Sequence, residues 1–228
     1  MILKIKYKPN EDFDFKEKNN VIHRFLSKSL YNGKRKEKYS FKIEDRRKYL
    51  KNKEYILQVK IMKKEDFENL IELCKNNKLE YTLIDPEIKN GLFIKDLNYE
   101  IQSIQLYNWG IKEEKLDRID YLEKYGIPFL KELIEYQVFG YLDEEIKKNI
   151  KSLSITKHKK NYYQFIDKLI LSPKKAIKLK DNHINTYDVY VILKDDKWSR
   201  YIGREMVNNF SIGTKNSYGC GFVEYKEM

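Results

Sequence analysis

Residues 54–84 have the sequence EYILQVKIMKKEDFENLIELCKNNKLEYTLI, in which the spacing of the apolar side chains changes twice. The first part alternates apolar and polar residues, which is typical of a half-buried strand. The middle part places apolar side chains on one side of a helix that ends at Asn-Asn, and the last part is again strand-like. The predicted elements are a strand at 54–62, a helix at 63–77 and a strand at 79–84.

The residues before this stretch predict the rest of the same unit. Apolar residues at helical spacing precede Gly33, a residue type that commonly ends a helix. The predicted elements are a strand at 2–8, a helix at 18–32 and a strand at 38–43 that pairs across a basic turn with the strand at 54–62. Residues 1–88 therefore follow the order βαββαβ, which predicts a ferredoxin-like N-terminal domain.

From Gly91 onwards the pattern begins again, which predicts a second domain at residues 89–228. Its predicted elements are a bent strand at 91–110, helices at 113–125, 128–149 and 199–210, and strands at 152–157, 161–171, 187–193 and 221–226. This order fits a decorated and irregular ferredoxin-like domain. The predicted fold class is α+β, with two tandem ferredoxin-like (RRM-like, βαββαβ) domains.

The composition indicates a polyanionic partner, because the formal net charge is +11 and the pI is about 9.2. A genome rich in A and T offers another explanation, since the chain is crowded with Lys, Asn, Ile and Tyr and its single alanine is Ala176. Basic residues cluster at 34–38, 46–53, 157–160 and 174–180, and a solvated face explains each cluster as well as RNA does.

Several classes of protein are not indicated by the sequence. No apolar stretch approaches the roughly 18 to 20 residues of a membrane helix, and the N-terminus lacks the features of a secretory signal. We therefore expect a cytoplasmic protein with no membrane partner. Cys74 and Cys220 are far apart and have no metal-ligand spacing, so we expect two reduced thiols, no metal and no cofactor.

A glycine-rich segment, IGTKNSYGCGF at 212–222, joins the last predicted helix to the last predicted strand. Glycine permits positive φ and lets a phosphate approach backbone N–H groups, while Lys215 adds positive charge, so the segment is a candidate anion cradle. A tight loop into an edge strand is the alternative. The spacing matches neither a Walker loop nor a dinucleotide fingerprint.

This segment resembles the signature of the RAMP superfamily. That signature has the form G-x-G-x-x-x-x-x-G-[FY]-G and lies near the C-terminus. Lys215-Asn216-Ser217 resembles the CRISPR repeat-cleaving endoribonucleases of that superfamily in particular. Two positions depart from the pattern: Ser211 replaces its first glycine, and Cys220 stands where an aromatic residue is usual.

The resemblance implies a metal-independent endoribonuclease that activates a ribose 2′-hydroxyl and leaves 2′,3′-cyclic phosphate and 5′-hydroxyl ends. Its implied partners are CRISPR precursor RNA and mature crRNA, with effector-complex proteins as further candidates, and its implied state is a monomer or a homodimer. A non-catalytic RAMP subunit that holds guide RNA in an effector complex is the alternative function. An unrelated ferredoxin-like binder of single-stranded RNA is a third.

The candidate catalytic residues are His23, Tyr31 and Lys34. His23 lies outside the apolar face of the first helix, on a polar stripe with Arg24, and a histidine can exchange protons near neutral pH. A surface histidine with no role is the alternative. In the superfamily the usual histidine lies near the end of this helix, where this chain has Tyr31 and then Lys34, while Tyr31 alone is also explained as an aromatic that caps the core.

The candidate RNA-binding residues come from the basic clusters and from the glycine-rich segment. They are Arg24, Arg35, Arg46, Arg47, Lys157, Lys159, Lys160, Gly213, Lys215, Asn216, Ser217, Gly219 and Gly221. Tyr218 is as well explained by stacking on an unpaired base as by a place on a strand face.

Overall fold

Two antiparallel sheets organise the computed structural model, one in each half of the chain. The structure describes residues 2–30, 39–62, 64–86, 91–98, 127–151, 163–172, 175–179 and 182–227. Each sheet supports its own hydrophobic core.

The first half has the predicted ferredoxin-like order. Its elements are β1 (Ile2–Tyr7), β2 (Phe13–Asp14), α1 (Lys18–Leu30), β3 (Tyr39–Ile43), β4 (Lys48–Tyr49), β5 (Tyr55–Ile61), α2 (Lys64–Asn76) and β6 (Tyr81–Ile84). The main sheet has the order β3-β5-β1-β6, and the apolar faces of α1 and α2 pack on it in one core. The short ribbon of β2 and β4 was not predicted, because two residues are too few to show an alternating pattern.

The second half repeats this topology. Its elements are β7 (Gly91–Leu97), α3 (Ile127–Tyr141), α4 (Glu144–Lys151), β8 (Ile166–Leu171), β9 (Lys175–Leu179), β10 (Asn182–Leu193), α5 (Lys197–Asn208) and β11 (Phe222–Lys226). The sheet has the order β11-β7-β10-β8, and β9 pairs with β10. If β7, β8, β10 and β11 are counted as the four principal strands, their order is 4-1-3-2, as in the first half. The prediction of two ferredoxin-like units is confirmed.

Several details of the second half differ from the sequence prediction. The strand predicted at 187–193 begins earlier, at Asn182. The single helix predicted at 128–149 is two helices in the structure, because the helix is interrupted at Leu142 and Asp143. Leu142 is a core residue, and the Asp143 carbonyl accepts the first hydrogen bond of α4, from the N–H of Lys147. The basic run near Lys175 contains β9, which pairs with β10. This strand was not predicted, because its lysines obscure the alternating pattern. The strand predicted at 161–171 begins only at Ile166. Of the bent strand predicted at 91–110, only residues 91–98 are described. The helix predicted at 113–125 and the strand predicted at 152–157 lie outside the described residues.

A buried lysine joins the two halves. Lys60 on β5 is fully buried, and its Nζ lies 3.0 Å from the Met206 carbonyl oxygen, 3.0 Å from that of Phe210 and 2.8 Å from that of Val223. Burial lowers the pKa of Lys60 well below its ordinary value. The three acceptors compensate for this burial, because an ammonium group has three hydrogens to donate. Lys60 thus binds the end of α5 and β11 of the second half to the sheet of the first.

Further contacts surround this lysine along the junction of β3 and β11. The hydroxyl oxygens of Ser40 and Ser211 are 2.6 Å apart and both residues are buried. The Asp45 carboxylate binds both Lys18 of the first half and Lys95 of the second. These polar contacts fix the register between the halves, because each requires its partner at hydrogen-bond distance.

The second core contains a buried carboxyl group on α3. Oε1 of Glu135 accepts a hydrogen bond of 2.9 Å from the N–H of Ile166, whereas Oε2 is buried with no hydrogen-bond partner in the described part of the chain. Burial raises the pKa of Glu135 to about 7, against the smaller opposing effect of the Ile166 N–H. The carboxyl group therefore holds a proton up to near-neutral pH.

We expect Lys60→Met to lower the free energy of unfolding by about 3 kcal/mol, because two buried carbonyls and one part-buried carbonyl lose their donor. Urea denaturation measures the change. The control is Lys42→Met, which removes a half-buried ion pair with Glu224 at the same junction and should cost less than about 1 kcal/mol. Equal losses in the two variants would contradict the role of Lys60.

Glu135 should make the protein less stable as the pH rises. The folded state holds a proton that the unfolded state releases between its ordinary pKa of about 4.5 and the raised value of about 7. The stabilisation that this proton gives is present below the window and is lost as the pH rises through it. The free energy of unfolding falls by about 2 to 3 kcal/mol. Urea denaturation at pH 5 and pH 8 should show this decline in the native chain and in Glu145→Gln, an exposed control, and not in Glu135→Gln.

Candidate functional site

The glycine-rich loop, residues 211–221, closes against the first half of the chain. Gly219 has φ +83° and packs so closely on Phe41 of β3 that a Cβ would lie 3.0 Å from its ring. Gly221 has φ +69°, and a Cβ there would lie 1.7 Å from the Ile212 carbonyl oxygen. These glycines are required by close packing within the protein, since any larger residue would displace backbone or core side chains.

The backbone N–H groups of the loop are largely engaged within the protein. Gly213 donates to Oε1 of Gln137 at 2.8 Å, Gly219 to the Asn216 carbonyl at 2.8 Å, and Gly221 to the Lys95 carbonyl at 2.8 Å. The anion cradle expected from the sequence is therefore not supported at these three glycines. The loop resembles the alternative prediction, a tight connection into an edge strand, more closely.

Asn216 braces the loop from inside. Its side-chain Nδ2 donates to the carbonyl oxygens of Ile212 at 3.2 Å and Cys220 at 3.0 Å. Lys215 precedes it in the left-handed conformation with φ 58°, and its side chain is half-buried. This bracing holds the short 3-10 turn Asn216–Tyr218 against β3 and α1.

The braced turn contacts His23 of α1. The Nδ1 atom of His23 lies 3.0 Å from the Ser217 carbonyl oxygen and 2.9 Å from the hydroxyl oxygen of Tyr39. Its ring stacks on Tyr218 with centroids 4.1 Å apart. The sequence places His23 on a polar stripe of the first helix, and in the structure this side chain is half-buried, because Ser217 and Tyr218 of the second half pack on it.

The two contacts of Nδ1 constrain the protonation of the ring. A carbonyl oxygen can only accept, so the hydrogen bond to Ser217 requires the proton on Nδ1, and the Tyr39 oxygen can accept from the same N–H. Nε2 is then the basic nitrogen of the neutral imidazole. Tyr39 is 2 % exposed, so the packing around its ring restrains the position of its hydroxyl.

The other predicted site residues lie in different places. Arg24, exposed on α1, lines a cleft between α1 and α2. Arg46 and Arg47 are exposed before β4, where an open cleft of about 550 Å³ also contains Phe15 and Lys16, and Arg46 pairs with Glu44 at 2.8 Å. The remaining predictions lie outside the described residues: Tyr31, Lys34, Arg35, Lys157, Lys159 and Lys160.

Sequence reasoning did not select Tyr39. The alternating pattern at 38–43 places it on the buried face of β3 with Phe41 and Ile43, so its burial was predictable. Its bond to His23 was not, because the pattern carries no information on which side chain meets the hydroxyl.

Other reactive groups are separate from this site. His183 is exposed on β10, and the free thiols of Cys74 and Cys220 are buried, which raises their pKa values to about 11 and about 12. Among the described residues, no three His, Cys, Asp or Glu side chains are grouped to hold a metal ion. In the same part of the chain, no helix has the length and apolar character needed to cross a membrane.

Comparison with solved structures identifies proteins of the same topology along nearly their whole length. One, a CRISPR associated protein Cas6, has a TM-score of 0.52 and 11% identity, over 100% of this chain and 99% of the other. A Cas6-related protein from Pyrococcus furiosus has a TM-score of 0.52 and 15% identity, over 100% and 98%. The chain has the Cas6 fold. The fold implied by the RAMP resemblance is thus confirmed, although the sequence matches no protein-family model and no curated protein.

Within the Cas6 fold of this chain, we expect Gly221→Ala to disrupt the glycine-rich loop. The new Cβ would overlap the Ile212 carbonyl, so the free energy of unfolding should fall by at least about 2 kcal/mol. Gly140→Ala is the control, because a Cβ at that exposed helical position meets nothing within 4 Å and should stabilise the chain by about 0.5 to 1 kcal/mol. Thermal denaturation of both variants measures the difference, and a neutral Gly221→Ala would contradict the close packing.

Proposed function

We propose that this protein binds CRISPR repeat RNA and cleaves it, with His23 as the proton-transfer residue. The observation that carries the proposal is the contact of His23 in the first half with Ser217 and Tyr218 of the glycine-rich loop in the second. The segment that resembles the repeat-cleaving endoribonucleases therefore orients a histidine far away in sequence. The Cas6 fold supports the same function.

The proposed reaction needs a base at the ribose 2′-hydroxyl. Nε2 of His23 removes the 2′-hydroxyl proton, and O2′ attacks the adjacent phosphorus. The P–O5′ bond breaks and its electrons pass to O5′, which takes up a proton. The products are a 2′,3′-cyclic phosphate and a 5′-hydroxyl. Tyr31 and Lys34 stay the sequence-based candidates for the leaving-group proton and for the charge near the phosphate.

Ser217 and Tyr39 allow His23 to cycle its proton without moving. The Nδ1–H bond to the Ser217 carbonyl suits both the neutral ring and the imidazolium, because Nδ1 carries a hydrogen in each form. The proton is then gained and lost at Nε2 alone. An oriented ring of this kind favours general base catalysis, because the acceptor nitrogen keeps one direction throughout the reaction.

The open cleft beside Arg46 and Arg47 is a proposed surface for the RNA strand. Both arginines are exposed, and Phe15 at its edge is 45% exposed, so that phosphates meet guanidinium groups and a base meets an aromatic ring. The Phe15 ring also lies 4.0 Å below Nζ of Lys18. CRISPR precursor RNA and its mature crRNA product are the proposed partners.

We expect His23→Ala to reduce single-turnover cleavage of CRISPR repeat RNA by about 10² to 10⁴-fold, because it removes the general base. The assay uses saturating protein in EDTA and follows the 2′,3′-cyclic phosphate product. His183→Ala is the matched control, since it removes an exposed histidine of the other half and should leave the rate unchanged. A 2′-deoxy substitution at the cut site should abolish cleavage in the native protein.

Three results would contradict parts of this proposal. Full activity of His23→Ala would remove His23 from the chemistry and leave Tyr31 and Lys34 as candidates. Loss of native activity in EDTA would contradict a metal-independent reaction. Tight RNA binding without cleavage by the native protein would favour the alternative, a RAMP subunit that holds guide RNA.

A further inference from the structure

A second cleft lies between α1 and the C-terminal end of α2, closed at one side by the end of β1. We call it the α1–α2 cleft, and its volume is about 480 Å³. Its lining includes Arg24 and Lys28 of α1, Lys78 after α2, and Asn10 and Asn52 from the connections around β1 and β5. This volume lies within the range of small-molecule pockets.

The rim of the α1–α2 cleft is cationic. Arg24, Lys28 and Lys78 are exposed, and within the described residues no ion pair neutralises any of them. Lys8 also lines the cleft but pairs with Glu54 at 3.0 Å. Among the residues that line the cleft, Glu11 carries a negative charge. The rim thus presents three charges that suit an anionic group.

The cleft is lined by apolar side chains as well as by polar ones. Phe25 and Leu79 are half-buried in its wall, and the Phe25 ring lies 5.0 Å from that of Tyr7. The side chains of Asn10 and Asn52 also line the cleft and are exposed. An aromatic and aliphatic wall suits the flat face of a base, while amides can bond its edge.

We propose that the α1–α2 cleft binds a nucleotide unit, with its phosphate against Arg24, Lys28 and Lys78 and its base against the Phe25 wall. Charge at the rim suits the phosphate, the apolar wall suits the face of the base, and the exposed amides suit its edge. The site is separate from the candidate cleavage site, because Arg24 points into this cleft whereas the preceding residue, His23, contacts the glycine-rich loop.

The nucleotide has two possible sources, a free mononucleotide or one unit of a bound RNA strand. An α-helix is about 10 Å wide, so a strand of a few nucleotides can cross α1 from the candidate cleavage site to the cleft. The RNA source rests on the proposed function only for the binding of RNA. It does not require that the protein cleave RNA.

The test measures binding to the full chain with two probes. The first is adenosine 5′-monophosphate, followed by amide NMR shifts. The second is a single-stranded oligoribonucleotide blocked by 2′-deoxy substitution, whose Kd is measured from 50 to 200 mM salt. The variants are Lys28→Ala with Lys78→Ala, and Asn10→Trp, which fills the cleft without a change of charge. The control is Lys148→Ala with Lys197→Ala, two exposed lysines of the second half.

We expect shifts from the mononucleotide at Lys28, Asn52 and Lys78 that Asn10→Trp abolishes. For the oligonucleotide, the double lysine variant should lower the slope of log K against log salt by about 1.4, since each phosphate contact contributes about 0.7 in single strands. The control pair should leave the slope unchanged, and Asn10→Trp should weaken binding at least about threefold.

The two probes separate the sources. Effects on the mononucleotide alone would assign the cleft to a free nucleotide, and effects on the oligonucleotide would assign it to the RNA strand. The proposal is overturned if neither probe responds to Asn10→Trp, or if the control lysines lower the slope as much as Lys28 and Lys78 do. Because the oligonucleotide is uncleavable, a failure of the proposed cleavage reaction leaves this result intact.

Discussion

The ammonium group of Lys60 is the interaction on which the arrangement of the two halves depends. A charge at full burial is costly unless every donor is matched, and Lys60 meets this condition only with carbonyls of the second half. Separation of the halves would leave those three carbonyls without their donor and would return the lysine to water. The docked arrangement is thus specified by polar geometry as well as by apolar contact.

This docking also creates the candidate cleavage site. β3 lies at the edge of the first sheet, beside β11 of the second, and the contact places the turn Asn216–Tyr218 over α1. His23 then finds Ser217 and Tyr218, and neither partner belongs to its own domain. In contrast, the α1–α2 cleft is built from the first half alone. The two sites therefore depend differently on how the halves are held.

The sequence was sufficient to predict the main sheet and the helices of the first half, and only partly sufficient to predict those of the second half. In the first half each strand of the main sheet and each of the two helices has a clear apolar period, so their order and topology could be predicted, whereas the two-residue strands β2 and β4 show no period. In the second half, the lysines of β9 mask its alternating pattern, and a core leucine continues the apolar pattern across the interruption between α3 and α4. Periodicity shows which residues are buried, but it does not show where the chain changes direction. Lys60 occupies a polar position of an alternating strand. The pattern predicts that such a side chain is exposed to solvent, although here the other domain covers it. The same limit applied to His23: its residue type suggested the chemistry, but a helical wheel cannot show a surface that another domain will bury.

The contact between His23 and Ser217 joins residues 194 positions apart, which has a consequence for the order of synthesis. At roughly 5 to 20 residues per second, a ribosome makes the histidine about 10 to 40 seconds before the carbonyl that orients it. During that interval the first half can fold around α1, since its core is its own. The nascent chain therefore carries a histidine whose Nδ1 can already meet the hydroxyl of Tyr39, but it gains the Ser217 carbonyl and the Tyr218 ring only when the second half has been translated and docked.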